Sequence, residues 1–133
     1  MNREELKAKA RSAARGLAAS RGHVAPVDVF MAMGVLSKAG HDDWRFGRVD
    51  CLERVLGLNL SKLAVILREI GAYGRAEGLK PSLTEYRKWG KGPKRPLRFS
   101  RSGAGPVERL YSTHHVGRPR AAGGGEGEPA GKG

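Results

Sequence analysis

Apolar residues recur at helical spacing through the first 77 positions of this chain and alternate only briefly near its end. Leu6, Ala10, Ala13 and Leu17 share one face between residues 2 and 21, with Lys7, Lys9, Arg11 and Arg15 around the rest. Asn2 suits the N-cap, Glu4 and Glu5 suit the positive end of the helix dipole, and Gly22 suits its close. A face built mostly of alanine buries little area, so this helix is expected to be solvated or loosely docked. Pro26 opens a second helix with Val27, Phe30, Met31, Val35 and Leu36 on its apolar stripe and Gly40 at its end. His41 to Gly47 reads as a loop whose Trp44 and Phe46 anchor the core. A third helix fits residues 48–56, with Val49, Leu52, Val55 and Leu56 inward. Asn59 caps a fourth that runs to about Glu77 on Leu60, Leu63, Ile66, Leu67, Ile70 and Tyr73. Gly71 and Gly74 weaken its last turns, each by about 1 kcal/mol relative to alanine.

Lys80-Pro81 breaks the helical pattern, and Ser82 with Glu85 has the spacing of a capping box for a short helix through Trp89. Beyond the Gly and Pro cluster at 90–96, Leu97 and Phe99 alternate with Arg98 and Ser100 as one arm of a β-hairpin would. Val107 to Val116 fits a helical turn started by Pro106 or a strand carried by Tyr111, Thr113 and Val116. From Gly117 onward seven of seventeen residues are glycine and none is large and apolar, so that tail is expected to be disordered. The chain thus divides into a basic N-terminal helix (1–22), a small mostly α domain with a C-terminal β-hairpin (24–116) and a Gly-rich tail (117–133).

Within the domain, Leu52, Leu56, Gly57, Leu58, Leu63 and Ile66 stand at offsets that let two helices pack steeply across a glycine turn. This stretch resembles the helix-turn-helix of DNA-binding proteins, and with a helix before it and a hairpin after it the whole resembles a winged helix domain. The resemblance implies that Gly57 takes a positive φ. It also implies that Ser61, Lys62 and Arg68 lie in a DNA groove, with Arg98 and Arg101 on the flanking backbone. Two residues depart from the pattern. Glu53 stands where a small residue is usual, and the outward positions include Ala64 and Val65, which offer no hydrogen-bonding fork to a base.

Charge adds a second line to the same reading. The formal net charge is +12, from 25 Lys and Arg against 13 Asp and Glu, and it is unevenly spread. Tyr86 to Arg101 holds seven cations and no acid: Arg87, Lys88, Lys91, Lys94, Arg95, Arg98 and Arg101. So many like charges repel unless a polyanion neutralises them or salt screens them. Trp89 and Phe99 lie among them, and aromatic rings can stack on bases. The chain is therefore expected to bind nucleic acid as a non-catalytic regulator or accessory factor, double-stranded DNA first. One alternative is an RNA- or ribosome-associated basic protein. Another is a protein-interaction module, homodimeric through Leu60, Ala64 and Val65.

Other chemistry finds little support in the residues. The lone Cys51 sits in a helical pattern and reads as a small buried side chain of a reducing compartment. His23, His41, His114 and His115 lack metal-ligand spacing, and adjacent histidines on a strand face opposite ways. A nuclease pairing Glu108 with His114 or His115 is the strongest enzymatic option. No phosphate loop, paired-cysteine motif or nucleophile elbow is present, so neither cofactor nor metal is expected. No apolar run approaches the ~18 residues of a membrane span, and the cytoplasm of a bacterium is the expected address. Leu97 to Gly103 and Tyr111 to His115 look like specific segments to which the sequence assigns no role.

Overall fold

A computed structural model describes residues 2–117, so the tail lies outside the described residues from residue 118 onward. The described chain is mostly helical, with five α-helices and a small three-stranded antiparallel sheet. Helix α1 (Arg3–Arg21) begins where Asn2 accepts the Glu5 amide at 2.8 Å while the Glu5 carboxylate accepts the Asn2 amide at 2.9 Å. Gly22, at φ 79°, closes it. It is not loosely docked as the sequence suggested. Leu6, Ala10 and Ala14 are buried against α4 (Leu60–Ala76), and Arg11 pairs with the buried Glu69. The small alanines let the two helices come close. Burying Leu6 alone contributes roughly 1.5–3 kcal/mol.

The expected helix from Pro26 to Gly40 is two helices. After β1 (His23–Val24), α2 (Pro26–Ala32) stops at Met33, and the chain turns at Gly34 with φ 77°. Ser37 then caps α3 (Lys38–Arg45) by accepting the Gly40 amide at 2.9 Å. The expected loop His41–Gly47 is thus largely helix. Trp44 is buried as expected, whereas Phe46 is 38% exposed.

The helix expected over 48–56 is only a 3-10 turn, Leu52–Val55. The amides that α-helical bonding would use go elsewhere: Leu52 N donates to Arg98 O at 3.1 Å and Glu53 N to Phe99 O at 2.9 Å. Gly57 does not take a positive φ. Its amide donates to Val35 O at 2.9 Å beside an antiparallel Leu36–Leu56 bridge, an arrangement that suits extended backbone. Glu53 therefore crosses no helix, and its buried carboxylate serves as a hydrogen-bond acceptor.

Helix α4 runs from the Asn59 cap to Ala76 without early termination. A Cβ at Gly74 would lie 2.5 Å from His115 Nδ1, so this glycine lets β3 (Thr113–Val116) cross the helix closely. Ser82 and Glu85 do not cap a helix. Ser82 belongs to β2 (Lys80–Leu83), which pairs with β3 so that Ser82 faces His114 and Leu83 faces Thr113. Thr84 N continues the ladder by donating to Ser112 O at 3.0 Å. The stretch that suited either helix or strand is both: α5 (Gly105–Ser112) leads straight into β3. β3 is the central strand, in the order β1-β3-β2. The β2–β3 pair is no simple hairpin, because residues 84–112 intervene.

Candidate nucleic-acid interface

The cationic run folds as a narrow hairpin standing on the aromatic core. Leu97 N donates to Tyr86 O at 2.8 Å, Lys88 N donates to Arg95 O at 2.9 Å, and Arg87 bridges Pro96 between them. Gly90 and Gly92 take φ of 91° and 93°, which gives the tip a curvature that side-chain-bearing residues resist. Side chains close the loop over itself. Arg87 Nη1 donates to Lys94 O at 2.6 Å, Lys94 Nζ donates to Gly90 O, and Lys88 Nζ donates to Lys91 O at 3.3 Å. The expected arm Leu97–Ser100 is only partly an arm. Leu97 ends the hairpin, and the residues after it are tied to the 3-10 turn and to α5.

That tie is made by two carboxylates. Glu53 accepts the Arg101 amide at 2.8 Å and the Tyr111 phenol at 2.7 Å. Glu108 accepts the Phe99 amide at 3.1 Å, the Ser100 amide at 2.7 Å and the Ser100 hydroxyl at 2.6 Å. Trp44 Nε1 donates to Arg98 O at 2.9 Å, and Phe99 stacks parallel on Tyr111 with centroids 5.7 Å apart. Burial, then the bond to Glu53, raises the Tyr111 pKa far above that of a free phenol, so it remains a donor. The unassigned segment Leu97–Gly103 is thus the foot of the hairpin.

The tip leans on the C-terminal end of α3. Trp89 N donates to Arg45 O at 2.7 Å. The Arg45 guanidinium lies over three rings, 4.5 Å from Trp89, 5.0 Å from Tyr86 and 5.9 Å from Trp44. Its Nε is buried without a hydrogen-bond partner among the described residues, and the ring faces compensate for the missing acceptor. Burial lowers the Arg45 pKa, and a guanidinium stays charged all the same. Phe46 meets Trp89 edge-on at 5.5 Å, and Arg48 lies 5.0 Å over Phe46.

Of the seven expected cations, Arg87, Lys91, Lys94, Arg95, Arg98 and Arg101 are exposed and Lys88 is half-buried. Arg87 pairs with Glu85 at 2.9 Å, and the other six have no acidic partner among the described residues. Elsewhere Lys7, Arg11, Arg21, Lys38, Arg48 and Arg54 are paired, whereas Arg3, Lys9, Arg15, Arg45, Lys62, Arg68, Arg75, Lys80 and Arg109 form no ion pair among the described residues. What sets the hairpin and its foot apart is density, with six unpaired cations within residues 88–101.

The structure does not bring the expected groove readers to this site. Ser61 Oγ donates to Asn59 Oδ1 at 2.9 Å, Lys62 is half-buried and Arg68 is exposed. No hydrogen bond or ion pair among the described residues joins them to the hairpin. Of the residues considered for a dimer face, Leu60 is exposed, Ala64 is half-buried and Val65 is buried. Sequence reasoning missed Arg45 and Arg48. Their signal is the alternation Trp44-Arg45-Phe46-Gly47-Arg48, whose rings taken alone suggest only core anchoring. The Glu108–histidine pairing is not formed: His114 Nε2 meets Tyr86 Oη at 3.0 Å and His23 stacks on His114, while Glu108 is spent on Phe99 and Ser100. No group of three or more His, Cys, Asp or Glu side chains suited to one metal ion occurs among the described residues, and no described helix is long and apolar enough to cross a membrane. Compared with known proteins, the chain matches no family model, and no curated protein or solved structure matches it significantly.

Proposed function

We propose that this chain binds nucleic acid, duplex DNA first, as a regulator or accessory factor without catalysis. One observation carries the reading: seven cations gather on one hairpin and its foot, six of them without an acidic partner among the described residues. Laid along a phosphate backbone, they replace its counterions, and release of those ions drives association. Because the hairpin is anchored on Tyr86, Leu97 and Phe99, little ordering cost attends binding.

The helix-turn-helix expected over residues 52–66 lacks its first helix, so a winged-helix reading rests instead on a different helix pair. Helices α2 and α3 are joined by a short turn at Gly34, and the hairpin bonds to the end of α3 as a wing flanking a groove-bound helix would. Yet α3 carries Asp42 and Asp43, which pair with Lys38 and Arg48 and would meet phosphate with the wrong sign. Contact is therefore chiefly with the backbone, and weak sequence preference is expected. The RNA reading is favoured by the partial exposure of the Trp89 and Phe46 rings, since RNA readers stack exposed bases.

Titration against salt tests the proposal. With about six phosphates engaged, the log–log slope for a duplex should be near −5. A slope shallower than about −2 would mean the cations stay solvated, and the reading would fail. A single-stranded RNA titrated beside the duplex ranks the duplex-DNA reading against the RNA reading.

A further inference from the structure

We infer that the hairpin tip and the end of α3 form a stacking site for an unpaired nucleobase, with Trp89 as its platform. The inference rests on the nucleic-acid reading but not on its duplex-first form: beside the phosphate track, the tip takes a single-stranded segment, whose bases are free to leave their own stack.

The rings are exposed in a way that burial does not explain. Trp89 is 40% and Phe46 38% exposed, although Trp44, Phe99 and Tyr111 nearby are buried. Scattered exposed apolar residues are ordinary. These two touch each other edge-on, His41 also meets Trp89 edge-on at 5.5 Å, and each of the two has a guanidinium over its ring, Arg45 on Trp89 and Arg48 on Phe46. Cations on the rings, together with the Trp89 N–Arg45 O bond, hold the platform in place before any ligand arrives. A base stacking on it then costs little side-chain entropy.

Glycine lets the tip pack close beside this surface. A Cβ at Gly90 would lie 3.3 Å from the Phe46 ring, and one at Gly47 would lie 2.8 Å from Arg95 Nη2 and 3.0 Å from Lys88 Cε. The tip can therefore approach α3 closely, bringing Lys88 and Arg95 beside the aromatic pair. A phosphate flanking the stacked base would meet these cations, which is the arrangement that binds single strands without reading their sequence. A duplex keeps its bases paired and can offer this platform only a frayed end.

The test uses the full chain and four probes of equal length: oligo-dT, oligo-U, an abasic strand of the same charge, and a duplex. Oligo-dT and oligo-U should bind comparably and roughly tenfold more tightly than the abasic strand. Trp89→Ala should remove that advantage while leaving abasic binding unchanged, and Trp89→Phe should restore most of it. Lys91→Ala with Arg95→Ala should weaken all four probes alike. Should Trp89→Ala fail to fold, Trp89→Leu against Trp89→Phe makes the same comparison with a bulky apolar residue that lacks a π face. Salt-dependent binding that is equal for base-bearing and abasic strands would overturn the stacking site and leave the nucleic-acid reading intact. Binding to none of the four would overturn both.

Discussion

Tyr111 donates its phenol proton to Glu53 at 2.7 Å, a buried bond between residues 58 positions apart. The other Glu53 oxygen takes the Arg101 amide, so one carboxylate fastens α5 and the foot of the hairpin to the 3-10 turn. Glu53→Ala strands a buried phenol and a backbone amide, at about 1–3 kcal/mol each. We expect a loss of about 2–5 kcal/mol in urea unfolding, a smaller loss for Glu53→Gln, and about 1–2 kcal/mol for Tyr111→Phe. An unchanged urea midpoint for Glu53→Ala would mean the bond holds nothing together.

Local rules in the sequence located the elements whose partners are local. The Asn2 cap, the Gly22 close and the Asn59 cap can each be read from a few adjacent residues, and α1 and α4 stand where they predict. Elements decided by distant partners do not follow such rules. The stretch expected as a helix over 48–56 gives its amides to Arg98 and Phe99, and the Ser82–Glu85 box loses to pairing with β3. Arg98 and Phe99 lie some forty-five residues beyond the turn they bond, out of reach of any window of periodicity. Within the site, the cations are legible as a charge run. Their shape as a hairpin, and the part of Arg45 and Phe46 under its tip, depend on tertiary contacts that spacing does not encode.

Two glycines separate the turn the sequence suggested from the one the chain uses. Gly34 sits at φ 77°, and a Cβ there would have nothing within 4 Å, so Gly34→Ala carries a purely backbone cost of about 1–2 kcal/mol. Gly57 has an ordinary φ, and its Cβ would meet only Val35 O at 3.4 Å. Gly57→Ala should stay within about 0.5 kcal/mol of the parent. Thermal unfolding of the two variants checks the ranking, and a reversed order would return the strained turn to Gly57.

Stability should fall on mild acidification. Burial lowers the pKa of both His114 and His115. His23 lowers the first further and Arg75 the second, while Asp28 works the other way on His114. In the unfolded chain both imidazoles take up protons near the ordinary value of 6.5, whereas the folded chain does so only lower. Between those values the unfolded state binds more protons, so stability drops as pH falls through that window and levels off beneath it. The carboxylates of Asp42 and Asp50, held below 3.8 by hydrogen bonds from Lys38 and Arg54, lose their contribution only at lower pH. Urea midpoints should therefore decline from about pH 6.5 downward, and His114→Gln with His115→Gln should flatten that decline. A parent midpoint flat down to about pH 5 would rule the linkage out.

The last prediction sets the hairpin against α4. Lys91, Arg95 and Arg101 are exposed, and their side chains make no hydrogen bond among the described residues, so removing them leaves the fold's bonds in place. Removing one cation from the phosphate track reduces the salt slope by about one, so the triple alanine variant should bind duplex DNA with a slope nearer −2 than −5. Lys62→Ala with Arg68→Ala removes two charges of equal sign from a helix whose Ser61 and Asn59 are engaged in its own cap. That variant should keep the parent slope to within about one and most of its affinity. The variants lose three and two charges, so a net-charge effect alone would lower both slopes by similar amounts and could not spare the α4 variant. If instead the α4 variant loses binding and the hairpin variant keeps it, the contact lies on α4, and the groove-reading arrangement of Ser61, Lys62 and Arg68 is the right one.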